Sequence, residues 1–137
     1  MGANEGIEAM GKRAITSAKS KPIGPYSPAI EAGDLIFISG QTPLDAATGK
    51  LVEGDISVQA RQCLENLKAI LEAAGLGFAH VLKTNIFLTN MADFAAVNDV
   101  YKSYFTEPYP ARSTVAVAAL PMGAAVEIEM IASRSAQ

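Results

Sequence analysis

The run YPARSTVAVAAL, residues 109–120, is apolar apart from its head, where Arg112 stands. A guanidinium on a buried surface is costly unless an anion pairs with it. Its planar fork matches a carboxylate through two parallel hydrogen bonds. On residues alone, an exposed strand end or an ion pair with Glu127 or Glu129 is the simpler account. Those two glutamates lie in VEIEMIA, two residues apart, and so share one face of a strand. Glu129 reads as solvated, whereas Glu127 could hold or deprotonate a water. Asn98 lies four residues beyond Phe94, on the apolar side of a helical pattern. A buried amide there needs partners, and ordinary helix–loop bonding would supply them. IGPYSPAI fixes the backbone around Tyr26 with two prolines and a glycine, a way to present an aromatic to a pocket or simply to pack a turn. Ser39, Gly40 and Gln41 put polar groups at the end of an apolar strand, as a strand-end turn also would.

The elements that must position these groups follow from the rest of the chain. With 137 residues, half of them apolar, a single folded domain is expected. We place it at residues 13–137, behind a mobile tail over 1–12. No apolar run reaches the ~20 residues of a membrane-spanning helix. MGANEGIEAMGKR has no apolar core of the secretory kind, so a cytoplasmic protein is the expectation. One cysteine, Cys63, and one histidine, His80, offer no metal cluster and no internal disulfide. Cys63 reads as a small core residue, His80 as solvated or capping. A net charge of −3 gives no basic footprint for nucleic acid.

PAIEAGDLIFISGQ reads as two strands around a tight Gly33-Asp34 turn, the second strand (35–39) buried on both faces. TPLDAATGK follows as a loop. Asp55 is a natural N-cap for a helix whose stripe is Ala60, Cys63, Leu64, Leu67, Leu71 and Ala74, with Gly75 as its stop. HVLKTNIFLTN is a strand and ADFAAVNDVYKSYF a second helix, ended by Pro108 and Pro110. RSTVAVAAL and AAVEIEMIAS close the chain as strands around PMG. The order is β-β-α-β-α-β-β. A hairpin there sets Glu127 opposite about Val117, roughly 17 Å along the strand from Arg112. Two helices can cover only one face of such a sheet, while Val115, Val117 and Ile131 put apolar side chains on the other. A homo-oligomer in which sheet faces meet is the expectation.

IGPYSPAI, ISGQTPLDAATGKL, QARQCLENLKAILEAAG, VLKTNIFLTNMADFAAVNDVY, YPARSTVAVAALP and VEIEMIA, in this order, resemble the Rid family, also called YjgF-like or endoribonuclease L-PSP. The likeness runs from about Ile15 to Ala132 and is nearest the RidA-like enamine/imine deaminases. It implies a chorismate-mutase-like α+β fold, a mixed sheet with two helices on one face, and a homotrimer with clefts between subunits. It implies hydrolysis of 2-enamine or 2-imine acids, such as 2-aminoacrylate, to 2-oxo acids and ammonia, with no cofactor or metal. By position, Arg112 matches the arginine that binds the substrate carboxylate and Glu127 the acid that positions the attacking water. Thr114 stands where relatives carry a cysteine or threonine near that water. Tyr26, Ser39, Gly40 and Asn98 match cleft-lining positions, some of them contributed by the neighbouring subunit.

Relatives often read ARLPKG where this chain reads AALPMG, so Ala119 and Met122 replace two basic residues. That weakens anion attraction or marks a less charged, larger substrate. A hydroxyl at Thr114 is no thiolate nucleophile, which argues against covalent catalysis there. Two other functions remain open on the residues. One is a ribonuclease or translation inhibitor, which the single histidine and acidic balance disfavour. The other is a non-catalytic trimer that binds small metabolites through Arg112.

Overall fold

The structure, a computed structural model, describes residues 11–20 and 22–136. The expected tail falls, through residue 10, outside the described residues. The elements are β1 (Lys12–Ile15), β2 (Ala29–Ala32), β3 (Leu35–Gln41), β4 (Leu44–Asp45), β5 (Lys50–Leu51), α1 (Ile56–Ala73), β6 (Val81–Leu88), α2 (Phe94–Lys102), β7 (Ala111–Ala116) and β8 (Val126–Ser133). The expected β-β-α-β-α-β-β series is present as β2 through β8, with β1 added ahead of it. The segment read as a loop instead folds back as the small β4–β5 ribbon, Leu44 opposite Leu51. Its turn is closed by Asp45, whose carboxylate accepts from the Ala47 amide at 2.9 Å, and by Gly49 at φ 72°.

Six strands form one mixed sheet in the order β1-β2-β3-β8-β6-β7. The β2–β3 hairpin turns at Gly33, whose φ of 60° at the first turn position suits a glycine. All pairs are antiparallel except β6–β7. That parallel pair is joined through α2, as a crossover connection requires.

Here the structure corrects the sequence reading. β7 and β8 are not a hairpin; β6 lies between them. The Val117 amide donates to Leu88 O at 2.7 Å, and the Thr89 amide donates to Ala125 O at 3.2 Å. The intervening chain, a 3-10 turn at Pro121–Gly123, therefore passes over the end of β6 rather than reversing beside β7.

The two described helices, α1 and α2, lie on one sheet face. Asp55 caps α1, its carboxylate accepting from the Val58 amide at 3.0 Å. Gly75, at φ 77°, ends it, and the Leu76 amide donates back to Leu71 O at 2.8 Å. The stripe read from the sequence, Ala60 to Leu71, is buried against Ile36, Ile38, Ile128 and Met130 of the sheet. Cys63 sits in that core, and burial pushes its thiol far up. His80 closes a short turn, Nδ1 accepting from the Gly77 amide at 3.1 Å.

Among the described residues no element covers the opposite face. Leu35 is 39% and Phe37 44% exposed, so β3 is not buried on both faces within one chain. Val115 is exposed on the same side, and Ile131 is half-buried there beside Phe37. The expectation that apolar groups occupy this uncovered face holds. Among the described residues no helix is long and apolar enough to cross a membrane.

Candidate functional site

The sheet register decides which candidate residues can meet. Arg112 is the direct partner of Thr84, and Glu127 the direct partner of Phe87, on the two sides of β6. Thr84 is fully buried on the helix-covered face. Phe87 is an odd number of residues further on, so it points to the open face. Arg112 and Glu127 thus project from opposite faces of the sheet. Three residues along the strands and two strand spacings across leave their backbones roughly 14 Å apart. The chain folded by itself cannot place both groups on one small ligand.

Arg112 is half-buried beside α2. Its Nη1 donates to Asn98 Oδ1 at 2.7 Å. Its guanidinium carbon stands 4.9 Å from the centre of the Tyr101 ring and 5.6 Å from that of Phe94. Residues 94, 98 and 101 recur at one-turn intervals, so one face of α2 supplies the whole setting. Neither Glu127 nor Glu129 pairs with Arg112. Among the described residues the ion pairs are Arg13–Glu31 and Arg134–Glu31. Asn98 therefore serves the arginine rather than a loop. Two residues along β7, on the same face, the hydroxyl of Thr114 is buried with no hydrogen-bond partner. An orphaned buried hydroxyl is uncommon and asks for a partner that the described residues do not supply.

Glu127 belongs to a second cluster. It lines a cleft of about 360 Å³ together with Tyr26, Gly40, Gln41, Pro121 and Met122. Tyr26, in the IGPYSPAI loop, is thus among the residues that line this cleft. Ser39 and Gly40 sit in an irregularity of β3, where the pairing with β8 slips between Ile38 and Gln41. Ser39 is turned away, its hydroxyl donating to Ser27 O at 2.7 Å, which ties the Tyr26 loop to the strand. A Cβ on Gly40 would stand 2.9 Å from the Glu127 carboxyl carbon, so glycine makes room for that carboxylate. Burial, and then the neighbouring charge of Glu129, push the Glu127 carboxyl above the ordinary carboxylate range. Met122 is half-exposed at the cleft with φ 61°, a left-handed backbone costing roughly 1–2 kcal/mol in a residue with a side chain.

The seven residues singled out from the sequence therefore divide. Arg112, Asn98 and Thr114 gather at β7 and α2; Tyr26, Gly40 and Glu127 gather at the cleft; Ser39 braces the second group. Tyr101, Phe94 and Thr84 were missed. The 94/98/101 spacing was the available signal, and it was read only as the apolar side of a helix.

Fold and geometry define a class: a small α+β chain with one covered sheet face, one open face, and chemistry-bearing groups on both. Residues 16–134 match the family described as Endoribonuclease L-PSP. The chain belongs to that family, the YjgF-like or Rid proteins. It is 54% identical over 126 residues to "Protein DfrA" of Myxococcus xanthus, covering 90% of this chain and 96% of that one. It is 48% identical over 121 residues to the 2-iminobutanoate/2-iminopropanoate deaminase of Dermatophagoides farinae, covering 88% and 94%. Among solved structures, E. coli TdcF with bound serine superposes with a TM-score of 0.84 at 43% identity, covering 90% of this chain and 99% of that one.

Proposed function

We propose that the chain is a hydrolytic deaminase of reactive 2-enamine and 2-imine acids such as 2-aminoacrylate. In this reading it acts as a homotrimer whose sites lie between subunits. Arg112, Asn98 and Thr114 of one subunit face Tyr26, Gly40 and Glu127 of its neighbour. The observation that carries it is the placement of Arg112 and Glu127 on opposite sheet faces of one chain, with one of those faces uncovered. The deaminase name of relatives at about 48% identity supports the reaction class, and the bound serine of TdcF supports a ligand of that size.

Arg112 grips the substrate carboxylate. The fork edges that Asn98 leaves free can form a bidentate pair, and the aromatic rings hold the guanidinium dry. The enamine takes a proton on carbon and becomes the imine. Water, held by Glu127, then adds to the imine carbon. A C–O bond forms as the C=N π pair moves to nitrogen and Glu127 takes up the water proton. Glu127 returns that proton to the nitrogen, which gives the carbinolamine; a second proton passes from its hydroxyl to the amine, the C–N bond breaks, ammonia leaves and the oxygen lone pair closes the C=O of the 2-oxo acid. The carbon is already electrophilic, so positioning supplies most of the rate. The Thr114 hydroxyl is free to bond the water or the departing nitrogen.

A serine dehydratase coupled to this protein tests the reaction by the rate of pyruvate formation from 2-aminoacrylate. Wild type accelerates it, while Arg112→Ala and Glu127→Gln each lower kcat/KM by roughly a hundredfold or more. Mixing the two variants tests the subunit arrangement. Each mixed trimer regains one junction with an intact arginine and an intact glutamate, so about a quarter of wild-type activity returns. A mixture as inactive as its parts would refute the shared site. No acceleration by wild type would leave a metabolite-binding trimer.

A further inference from the structure

The setting of Arg112 contains a device that reaches beyond the rings to Thr84. Thr84 and Tyr101 are both buried, and their hydroxyls stand 2.9 Å apart. Thr84 is also the register partner of Arg112 on the adjacent strand. The ring whose phenol Thr84 holds is the one beneath the guanidinium. β6, α2 and β7 thus meet in a closed triangle: Thr84 to Tyr101 by a hydrogen bond, Tyr101 to Arg112 by a ring face, Arg112 to Thr84 by the sheet ladder.

We propose that Tyr101, latched by Thr84, is a positioning residue that sets the plane of the Arg112 guanidinium for carboxylate binding. This rests on the proposed role of Arg112 as the anion-binding group. An arginine side chain has several rotatable bonds, and a single hydrogen bond to Asn98 leaves the fork free to swing about it. A ring face fixes the plane of the fork. The ring can do so only while its own tilt is fixed, because the terminal torsion of a tyrosine is broad. Packing against Phe105, whose ring centre is 4.4 Å away, and the hydroxyl latch together supply that restraint. Phe94, 37% exposed, flanks the fork from the solvent side and has no such anchor. The fork edges that remain open are where a carboxylate enters.

A purely structural role for the hydroxyl pair makes a different prediction, and a three-variant series separates the two. Thr84→Val keeps the volume of the side chain and removes the latch. It leaves the Tyr101 hydroxyl buried without a partner, so Tm falls under either account. Thr84→Val/Tyr101→Phe replaces both partners by apolar groups of like shape, which brings Tm back toward wild type. Thr84→Ser keeps a hydroxyl at the position. If the latch positions Arg112, KM for the imine rises roughly tenfold in the single and the double variant, kcat changes little, and the serine variant recovers the wild-type KM. Calorimetric binding of 2-oxobutanoate, which needs no turnover, weakens in parallel. A double variant with wild-type KM and wild-type 2-oxobutanoate affinity would overturn the proposal. Because the binding arm does not depend on deamination, a wild type that binds 2-oxobutanoate without hydrolysing imines would refute the deaminase reading and leave the latch testable. A wild type that does not bind it at all would refute both.

Discussion

Glu127 and Glu129 differ in sequence position by two and in circumstance by much more. Glu129 is anchored: its carboxylate accepts from Asn85 Nδ2 at 2.9 Å, across from β6. Glu127 turns into the cleft, against Gly40. Burial is the larger cause of its raised pKa, and the fixed charge of Glu129 adds to it. If Glu127 works in its ionised form, activity falls as pH drops through that raised value. Glu129→Gln removes the repelling charge and eases ionisation. The acid limb of the kcat/KM profile then moves to lower pH; a limb that stays or moves upward would separate Glu129 from the tuning of Glu127. The shared face of the two glutamates could be read from alternation alone. That Arg112 lies on the other face could not be, because it depends on the register of two strands against β6, a contact with no local signature.

At the level of elements, the helices were the legible part. Asp55, the apolar stripe and Gly75 each give a local signal, and each acts where it was expected. The strands were less so. PMG looks like a hairpin turn because proline and glycine favour reversal, yet the chain used it to cross the end of β6. A strand, a helix and a further strand in succession invite a parallel crossover pair, and the β6–α2–β7 unit is one. The β3 irregularity was also hidden, since SGQ reads equally as a strand end. It has a direct functional test. Gly40 is not needed for backbone freedom; it is needed for the space its missing side chain leaves beside Glu127. Gly40→Ala meets the movable end of a side chain rather than backbone, so the fold yields cheaply and the carboxylate moves. Stability in urea should change by less than about 1 kcal/mol while kcat/KM drops by roughly ten- to a hundredfold. A large stability loss with catalysis intact would show that the glycine serves the strand and not the acid.

At the scale of the molecule, the open face raises the last question. Phe37 and Ile131 are cross-strand neighbours there, and Leu35 and Val115 extend the apolar surface to either side. Burying one phenylalanine side chain is worth about 2 kcal/mol, and a symmetric assembly gains it once per subunit. Phe37 is remote from the helix-covered core, so a charge there does not disturb what holds the chain folded. Phe37→Glu should therefore leave the circular dichroism spectrum unchanged while sedimentation shows monomers in place of the proposed trimers. The proposed deaminase activity should vanish with assembly, although Arg112, Thr114 and Glu127 are all intact. Adding back activity by raising protein concentration would place the defect in association and not in the site. A Phe37→Glu protein that sediments as a trimer would mean that copies meet elsewhere. One that is monomeric and fully active would mean that Arg112 and Glu127 never needed to share a ligand, and the division of the site by the sheet would lose its functional meaning.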